Sequence, residues 1–374
     1  MWPKERVAFL VIHGIGEQNP FETLDSFVRN FWKTLMKNNP GSDISIKHYI
    51  RPRTDNGKEW TENFISLVKS DQPDCAIDFY EYYWAYKMEG EINFQELVDW
   101  LVKTSDGAEK FYKQNKELVK KYEGKSGDYW YLKHLGCIMR ALAFFRVLKI
   151  PYFDCIRPFV KPFLSKATQL FVDYMGDVAI YTTTDVKSKH YHVRSSNLTD
   201  AVKEVKALID NDRYKNVIIA GHSLGSVIAY DTLNRVNHAF NLKQQEWRFA
   251  NKINGLVTFG SPLDKTAFFF REHTPDEQYI RRQILDHFHS FKGRDLNLKR
   301  EEVKVEDPIM PLLDNQIRWI NFWDEKDPVS GHLDFYIVDN NIQVNMKAKY
   351  GVAHNAYWEY EKMYEDMCGF YFSS

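Results

Sequence analysis

One serine in this chain has flanking residues that could make it a nucleophile. It stands at the centre of Gly221-His222-Ser223-Leu224-Gly225, a G-x-S-x-G pattern that follows four apolar residues and precedes a run compatible with a helix. At a sharp turn from a strand into a helix, such a serine stands above the edge of the sheet. Only glycine fits two positions away on either side without a backbone clash. The pattern therefore predicts nucleophilic chemistry at Ser223, and His222 is expected to pack beside the turn.

A serine hydroxyl needs a histidine to take its proton and a carboxylate to orient that histidine. In an open parallel sheet, such groups gather at the carboxyl ends of the strands. Asp327 follows a predicted strand at 317–323, and His354 stands at the start of the last predicted helix. The order Ser, Asp, His is the one expected when G-x-S-x-G supplies the nucleophile. We therefore predict Ser223 as nucleophile, Asp327 as acid and His354 as base.

Each of these assignments has rivals. An Asp-Pro pair such as 327–328 is also a common turn opener, and a single histidine near a helix start is often only a surface residue. Asp324 is the strongest rival acid because it stands three positions closer to the strand. The remaining candidates are Asp334, Asp339, His332, His287 and His289.

The negative charge that develops on a substrate oxygen needs hydrogen-bond donors, which form an oxyanion hole. The N–H of Leu224, directly after the nucleophile, is one predicted donor. A second is expected in the loop His13-Gly14-Ile15-Gly16, which follows the first predicted strand, and Ile15 is the predicted donor there. The alternative is that this loop is a plain glycine turn.

Strands and helices alternate along most of the chain, which indicates a mainly parallel, doubly wound α/β sheet. The apolar runs 7–12 and 253–259 are unbroken, as is typical of strands covered on both faces. Further strands are predicted at 43–50, 77–84 and 317–323, with a hairpin-like pair at 334–338 and 342–346. Helices are predicted at 20–37, at 198–209 with Asn197 or Thr199 as the cap, and at 354–368.

Two segments interrupt this alternation inside what is predicted to be one domain spanning 1–374. Residues 90–175 are predicted to be a helical insertion, and residues 265–315 a smaller excursion. The stretch 135–150 is the most apolar, but it is too short and too charged to span a membrane. The insertion could be a lid, a surface in contact with lipid, or core; the core interpretation is slightly favoured.

Composition narrows the classes of partner. The 374 residues include 50 Lys and Arg against 51 Asp and Glu, so no basic field exists to attract nucleic acid. The four cysteines are scattered and do not pair with histidine as metal ligands do, which is typical of a reducing compartment. No apolar signal segment opens the sequence, so the cytoplasm is the expected location. The predicted chemistry needs neither a metal nor an organic cofactor.

Together these residues resemble the serine esterases and lipases of the α/β-hydrolase superfamily, over about 1–50 and 195–370. In that pattern, His13-Gly14 marks the oxyanion loop, the serine pattern is the nucleophile elbow, and Asp327 and His354 are acid and base. The resemblance implies an α/β-hydrolase fold. Since the sequence enters directly at the oxyanion strand, the first strands of the superfamily sheet are expected to be missing.

A partial resemblance is to intracellular phospholipases with the DDHD signature. It is carried by Phe259-Gly260-Ser261-Pro262-Leu263, Asp327-Pro328-Val329, Leu333-Asp334-Phe335 and His354-Asn355-Ala356-Tyr357-Trp358. Asp327, Asp334 and His354 match three members of that signature, and the fourth position falls near Glu361.

The function these observations favour is hydrolysis of a carboxylic ester with a hydrophobic acyl group. Alternatives with the same mechanism are an acyl thioesterase and a phospholipase. A ligand-binding protein of this fold without turnover, and a lipid-membrane scaffold, are the competing classes. The expected partner is an acyl ester or lipid, with peripheral membrane contact through the insertion; the oligomeric state stays open.

Overall fold

The computed structural model describes residues 2–14, 19–55, 58–87, 189–264, 280, 313, 316–327, 329–333, 336–348 and 353–373. The predicted helical insertion at 90–175 lies outside the described residues, as does nearly all of the predicted excursion at 265–315. No helix within these described ranges is long and apolar enough to cross a membrane.

The described strands form one eight-stranded sheet in the order β2-β3-β4-β1-β5-β6-β7-β8. Every pair from β4 through β1 to β8 is parallel, so the carboxyl ends of these strands meet at one edge. This is the α/β-hydrolase architecture that the alternating pattern predicted. The strands are β1 Val7–Ile12, β2 Ile44–Asp55, β3 Lys58–Lys69, β4 Gln72–Tyr82, β5 Asn216–His222, β6 Ile253–Phe259, β7 Arg318–Trp323 and β8 Asn340–Gln343.

A long antiparallel hairpin, β2–β3, occupies the two outer positions beside β4. The first strand of the chain therefore lies in the middle of the sheet, and the hairpin that follows it fills one side. The sequence pattern predicted a strand at 43–50, which is part of β2, but gave no prediction of β3. The reason is that polar residues interrupt β3, so its buried Phe64 and Leu67 give only a weak periodic signal.

The central strands are buried on both faces, as their unbroken apolar sequences predicted. Alternate residues of β1 enter two separate cores. Val7, Phe9 and Val11 pack in the core under the helices at 22–38 and 361–372. Ala8, Leu10 and Ile12 pack in the other core, under the helices at 189–210 and 224–242.

These helices cover the sheet on both sides. They are α1 Glu22–Asn38, α2 Lys189–Asp210, α3 Leu224–Leu242, the short α4 Ala353–Ala356 and α5 Glu361–Phe372. The helix predicted at 20–37 is confirmed as α1, whose Phe27 and Phe31 pack on Phe9 of β1. The predicted cap at Asn197 or Thr199 is wrong, because α2 is already helical from residue 189.

Two predictions for the C-terminal part are corrected. Among the described residues of the hairpin predicted at 334–338 and 342–346, the strand found is the short β8, Asn340–Gln343, which pairs parallel to β7. The helix predicted at 354–368 is broken into α4, a 3₁₀ turn at Tyr357–Glu359 and α5. The break occurs at Tyr360, whose backbone is extended, and the Tyr364 hydroxyl fixes it by donating a hydrogen bond to the carbonyl of Trp358 at 2.8 Å.

Candidate active site

The serine pattern forms the expected turn from strand to helix. Ser223 follows the end of β5 and precedes α3, with φ 52° and ψ −129°. A positive φ is strained for a residue with a side chain, by about 1–3 kcal/mol. Hydrogen bonds on both sides hold this conformation. The Ser223 N–H donates to the carbonyl of Phe259 at 3.1 Å, and the Ser223 carbonyl accepts from both the N–H (3.0 Å) and the hydroxyl (2.5 Å) of Ser226.

The two flanking glycines are required because the backbone approaches them closely. A Cβ at Gly221 would lie 2.5 Å from the Cα of Ser226. A Cβ at Gly225 would overlap the main-chain oxygens of Ile12 and His13. Any side chain at either position would push the helix away from the sheet, as the sequence pattern predicted.

The three residues predicted to form the catalytic site lie in hydrogen-bonding contact. The hydroxyl of Ser223 is 2.9 Å from Nε2 of His354. On the other side of the ring, Nδ1 of His354 is 3.1 Å and 3.0 Å from the two carboxylate oxygens of Asp327. Since a carboxylate only accepts, Nδ1 carries the proton and Nε2 faces the serine as an acceptor. Ser223 and Asp327 are buried, and the His354 side chain is 17% exposed.

The rival acids and the described rival histidine have other partners. The Asp324 carboxylate accepts the N–H groups of Lys326 at 2.8 Å and Met346 at 2.9 Å, which fixes the turn after β7. Asp339 accepts the N–H of Trp319 at the start of the same strand. The ring of His332 lies against Trp323, while Asp334, His287 and His289 lie outside the described residues.

His222 packs beside the turn, as expected, and it also makes a contact that the sequence did not reveal. Its Nε2–H donates to the main-chain carbonyl of His354 at 2.9 Å. The ring lies between Phe259 and Trp358. Burial, together with the neighbouring His354, lowers the pKa of His222 to about 3. A neutral His222 therefore holds the backbone of the proposed base.

The loop after β1 begins directly above Ser223. A Cβ on Gly14 would lie 2.7 Å from the Cβ of Ser223, so only glycine allows this approach. His13 is buried, and its Nδ1–H donates to the Gly14 carbonyl at 2.6 Å while its Nε2 accepts the N–H of Trp84 at 3.1 Å. The rings of His13 and Trp84 stack with their centroids 5.0 Å apart. Burial lowers the pKa of His13 to about 4, which matches a ring that must donate at one nitrogen and accept at the other.

The predicted oxyanion donors differ in what the structure describes. Leu224 is the first residue of α3, and the first N–H groups of a helix have no partner within it. Its N–H therefore stands at the positive end of the helix dipole, next to the serine. Ile15 and Gly16 lie outside the described residues, and the role of Ile15 stays a prediction.

The sequence did not reveal the roles of three supporting residues, because these roles depend on contacts between distant segments. The backbone N–H of Trp84 donates to His13, Ser261 hydrogen-bonds the Ser226 hydroxyl at 2.7 Å, and the hydroxyl of the buried Tyr357 accepts the N–H of Asp324 at 3.0 Å. Ser261 and Tyr357 stand in segments quoted for the resemblance to DDHD phospholipases, but that resemblance assigned them no role. The aromatic character of Trp84 and Tyr357 is unspecific in a chain with 22 Tyr and 10 Trp. Among the described residues, no group of three or more His, Cys, Asp or Glu side chains could hold a metal ion.

Comparison with known families gives one match. Residues 160–287, which include the G-x-S-x-G pattern, are similar to the lipase (class 3) family. No curated protein and no solved structure was found to match the chain. The family match and the described sheet confirm the resemblance to the serine esterases and lipases of the α/β-hydrolase superfamily. They also support an ester hydrolase activity of lipase type, while the likeness to DDHD phospholipases stays a prediction.

Proposed function

We propose that this protein is a serine hydrolase that cleaves a carboxylic ester through an acyl-enzyme on Ser223. The observation that carries the proposal is a continuous series of hydrogen bonds, which runs from the Ser223 hydroxyl through the His354 ring to the buried carboxylate of Asp327. It stands at the carboxyl edge of a parallel sheet, in a chain whose match to the class 3 lipases already supports ester hydrolysis.

In the proposed acylation step, the Ser223 oxygen attacks the ester carbonyl and Nε2 of His354 takes the serine proton. Asp327 keeps the proton of Nδ1 in place and stabilises the imidazolium that forms. The N–H of Leu224, together with an N–H of the loop after Gly14, is proposed to stabilise the negative oxygen. His354 then gives its proton to the departing alcohol.

Deacylation repeats these proton transfers with water as the nucleophile. His354 removes a proton from the water, which attacks the acyl carbon, and the Ser223 oxygen leaves and recovers the proton. The products are a carboxylic acid and a free enzyme. The substrate we propose is an ester with a hydrophobic acyl group, a choice supported by the lipase family match.

Labelling with a fluorophosphonate probe tests the nucleophile. The wild type is expected to react at a single serine and Ser223→Ala is expected not to react. Ser70→Ala, which changes an exposed serine bonded to Asp43, serves as the matched control and is expected to label fully. Labelling that persists in Ser223→Ala would refute the assignment.

Substrate profiling tests the choice of ester. p-Nitrophenyl esters of rising chain length are compared with phospholipids and acyl thioesters, using Ser223→Ala as the blank. We expect kcat/KM to rise with acyl length. A thioester or phospholipid that is hydrolysed best would favour those alternatives, and binding of acyl ligands without turnover of any ester would favour a ligand-binding protein. The cytoplasmic location remains a separate proposal.

A further inference from the structure

We propose that Ser261 is a positioning residue for this site, which acts through Ser226 to aim the N–H of Leu224 at the substrate oxygen. The inference rests on the proposed function and deepens it. Two short contacts carry it: the Ser261 hydroxyl lies 2.7 Å from the Ser226 hydroxyl, which lies 2.5 Å from the carbonyl oxygen of Ser223. All three serines are buried, so no water competes for these bonds at the surface.

The direction of each hydrogen bond follows from counting hydrogens. A hydroxyl carries one hydrogen, and a carbonyl oxygen can only accept. The Ser226 hydrogen therefore goes to the Ser223 carbonyl, and the Ser226 oxygen accepts the hydrogen of the Ser261 hydroxyl. The Ser261 oxygen in turn accepts the N–H of Leu263 at 3.3 Å. Every hydrogen in this series has one direction, and removing a member leaves a buried oxygen with one bond fewer.

The Ser223 carbonyl and the Leu224 N–H belong to one peptide group. This group is planar, so its C=O and N–H point in opposite directions and rotate together. The hydroxyl and the N–H of Ser226 hold the carbonyl at 2.5 Å and 3.0 Å, and they thereby fix the direction of the Leu224 N–H. Hydrogen bonds to the carbonyl also polarise the group, which makes its N–H a stronger donor. The series from Ser261 thus ends at a predicted oxyanion donor.

The backbone that carries Ser261 is fixed to the sheet. The Gly260 N–H donates to the carbonyl of Phe322, on β7, at 3.2 Å. The Phe259 carbonyl, at the end of β6, accepts the Ser223 N–H at 3.1 Å. The end of β6 therefore holds the peptide groups on both sides of the nucleophile, one directly and the other through the hydroxyl series. This support counteracts the strain of the positive φ at Ser223.

Removing the Ser261 hydroxyl is expected to act on the transition state. In Ser261→Ala, the Ser226 oxygen loses its donor, and the Ser226 side chain gains freedom to leave the Ser223 carbonyl. The Leu224 N–H then points less accurately at the substrate oxygen. Because that oxygen becomes negative in the transition state and not in the bound ester, we expect kcat to fall while KM stays nearly constant.

The kinetic experiment measures kcat and KM on a p-nitrophenyl ester. We expect kcat to fall about fivefold in Ser261→Ala, roughly the rate equivalent of one hydrogen bond, with KM within about twofold. Ser261→Cys keeps the shape but is a weak donor, so its kcat is expected to lie between those of Ser261→Ala and the wild type. The control is Thr34→Val, which removes a buried hydroxyl that donates to the Asn30 carbonyl in α1 and is expected to keep the wild-type values. A wild-type kcat in Ser261→Ala would overturn the inference.

A double-mutant cycle separates action through Ser226 from a merely structural role. Ser226→Ala removes the last bond of the series and is expected to lower kcat about fivefold or more. In that background we expect Ser261→Ala to leave kcat unchanged, because the bond through which Ser261 acts is already lost. If Ser261→Ala instead lowered kcat by the same factor in both backgrounds, the inference would be wrong.

Crystal structures supply a test that does not depend on turnover. In the wild type, the Ser226 oxygen is expected within hydrogen-bonding distance of both the Ser261 oxygen and the Ser223 carbonyl. In Ser261→Ala we expect a second rotamer of Ser226 and a rotated peptide between Ser223 and Leu224. An unrotated peptide with a single Ser226 rotamer, or a wild-type Ser261 hydroxyl out of reach of Ser226, would overturn the inference. Failure of the proposed function would appear instead as a wild type without fluorophosphonate labelling and without turnover.

Discussion

The buried His13 makes the stability of the protein depend on pH in a way that can be calculated. Its ring donates to the Gly14 carbonyl and accepts from the Trp84 N–H, so it must be neutral in the folded protein. Burial lowers its pKa from 6.5 to about 4. Between these two values the unfolded chain binds a proton that the folded chain does not, so acid favours unfolding. The contribution to stability is complete above pH 6.5 and is lost as the pH falls towards 4.

The size of the effect follows from the two pKa values. One pKa unit corresponds to about 1.4 kcal/mol. Going from pH 8 to pH 5, the linkage relation gives a loss of about 2 kcal/mol in the free energy of unfolding from His13 alone. The loss is about 3 kcal/mol at pH 4 and levels off at about 3.5 kcal/mol at lower pH. That is a large share of the 5–15 kcal/mol typical of a folded domain, by order of magnitude.

Urea unfolding at pH 8, 7, 6 and 5 measures this loss in the wild type and in His13→Gln. The variant is expected to start from a lower stability at pH 8, because a hydrogen bond is lost, but to lose about 2 kcal/mol less than the wild type by pH 5. Equal urea dependence (m-values) in both proteins shows that the same transition is compared. Parallel stability–pH curves would refute the reasoning.

Three further substitutions test the contacts around the serine. Gly14→Ala places a methyl group 2.7 Å from the Ser223 Cβ, and we expect kcat/KM to fall about 100-fold, measured on a p-nitrophenyl ester. His222→Phe keeps a ring but removes the donor to the His354 carbonyl, so kcat is expected to fall about tenfold. His222→Gln can still donate and is expected to keep most of the activity. Equal rates in the two variants would show that packing alone matters. Ser226→Ala removes the 2.5 Å hydrogen bond to the Ser223 carbonyl, and we expect the free energy of unfolding to fall by about 1–3 kcal/mol, measured by thermal unfolding. An unchanged midpoint temperature of unfolding would contradict this role.

The parts of the fold that the sequence predicted are those with a strong local signal. The strands at 7–12 and 253–259 lie where their unbroken apolar runs predicted them, because a strand covered on both faces needs no polar alternation. The strand β3 was missed because its pairing with β2 and β4 stabilises a sequence of mixed polarity. The break at Tyr360 was missed because a hydrogen bond from Tyr364 specifies it, and periodicity does not reveal such a bond.

The site shows the same division. Ser223, Asp327 and His354 could be proposed from the sequence because a hydroxyl, a carboxylate and an imidazole in that order follow from the chemistry and from the ends of parallel strands. The contacts of His222 and Tyr357 could not be proposed. Both connect β5 or the turn after β7 to the segment 353–359, and their roles depend on which atoms meet across more than 25 positions of the chain.

The central position of β1 has a consequence for synthesis of the chain on the ribosome. One edge of β1 can pair with β4 as soon as residue 82 has emerged, but the partner of its other edge, β5, begins only at Asn216. Until then, an apolar strand with unpaired N–H and C=O groups is open to other chains. We therefore expect a nascent chain stalled between these two points to bind chaperones. We also expect the turn at Ser223, which directly follows β5, to form together with the closing of that edge.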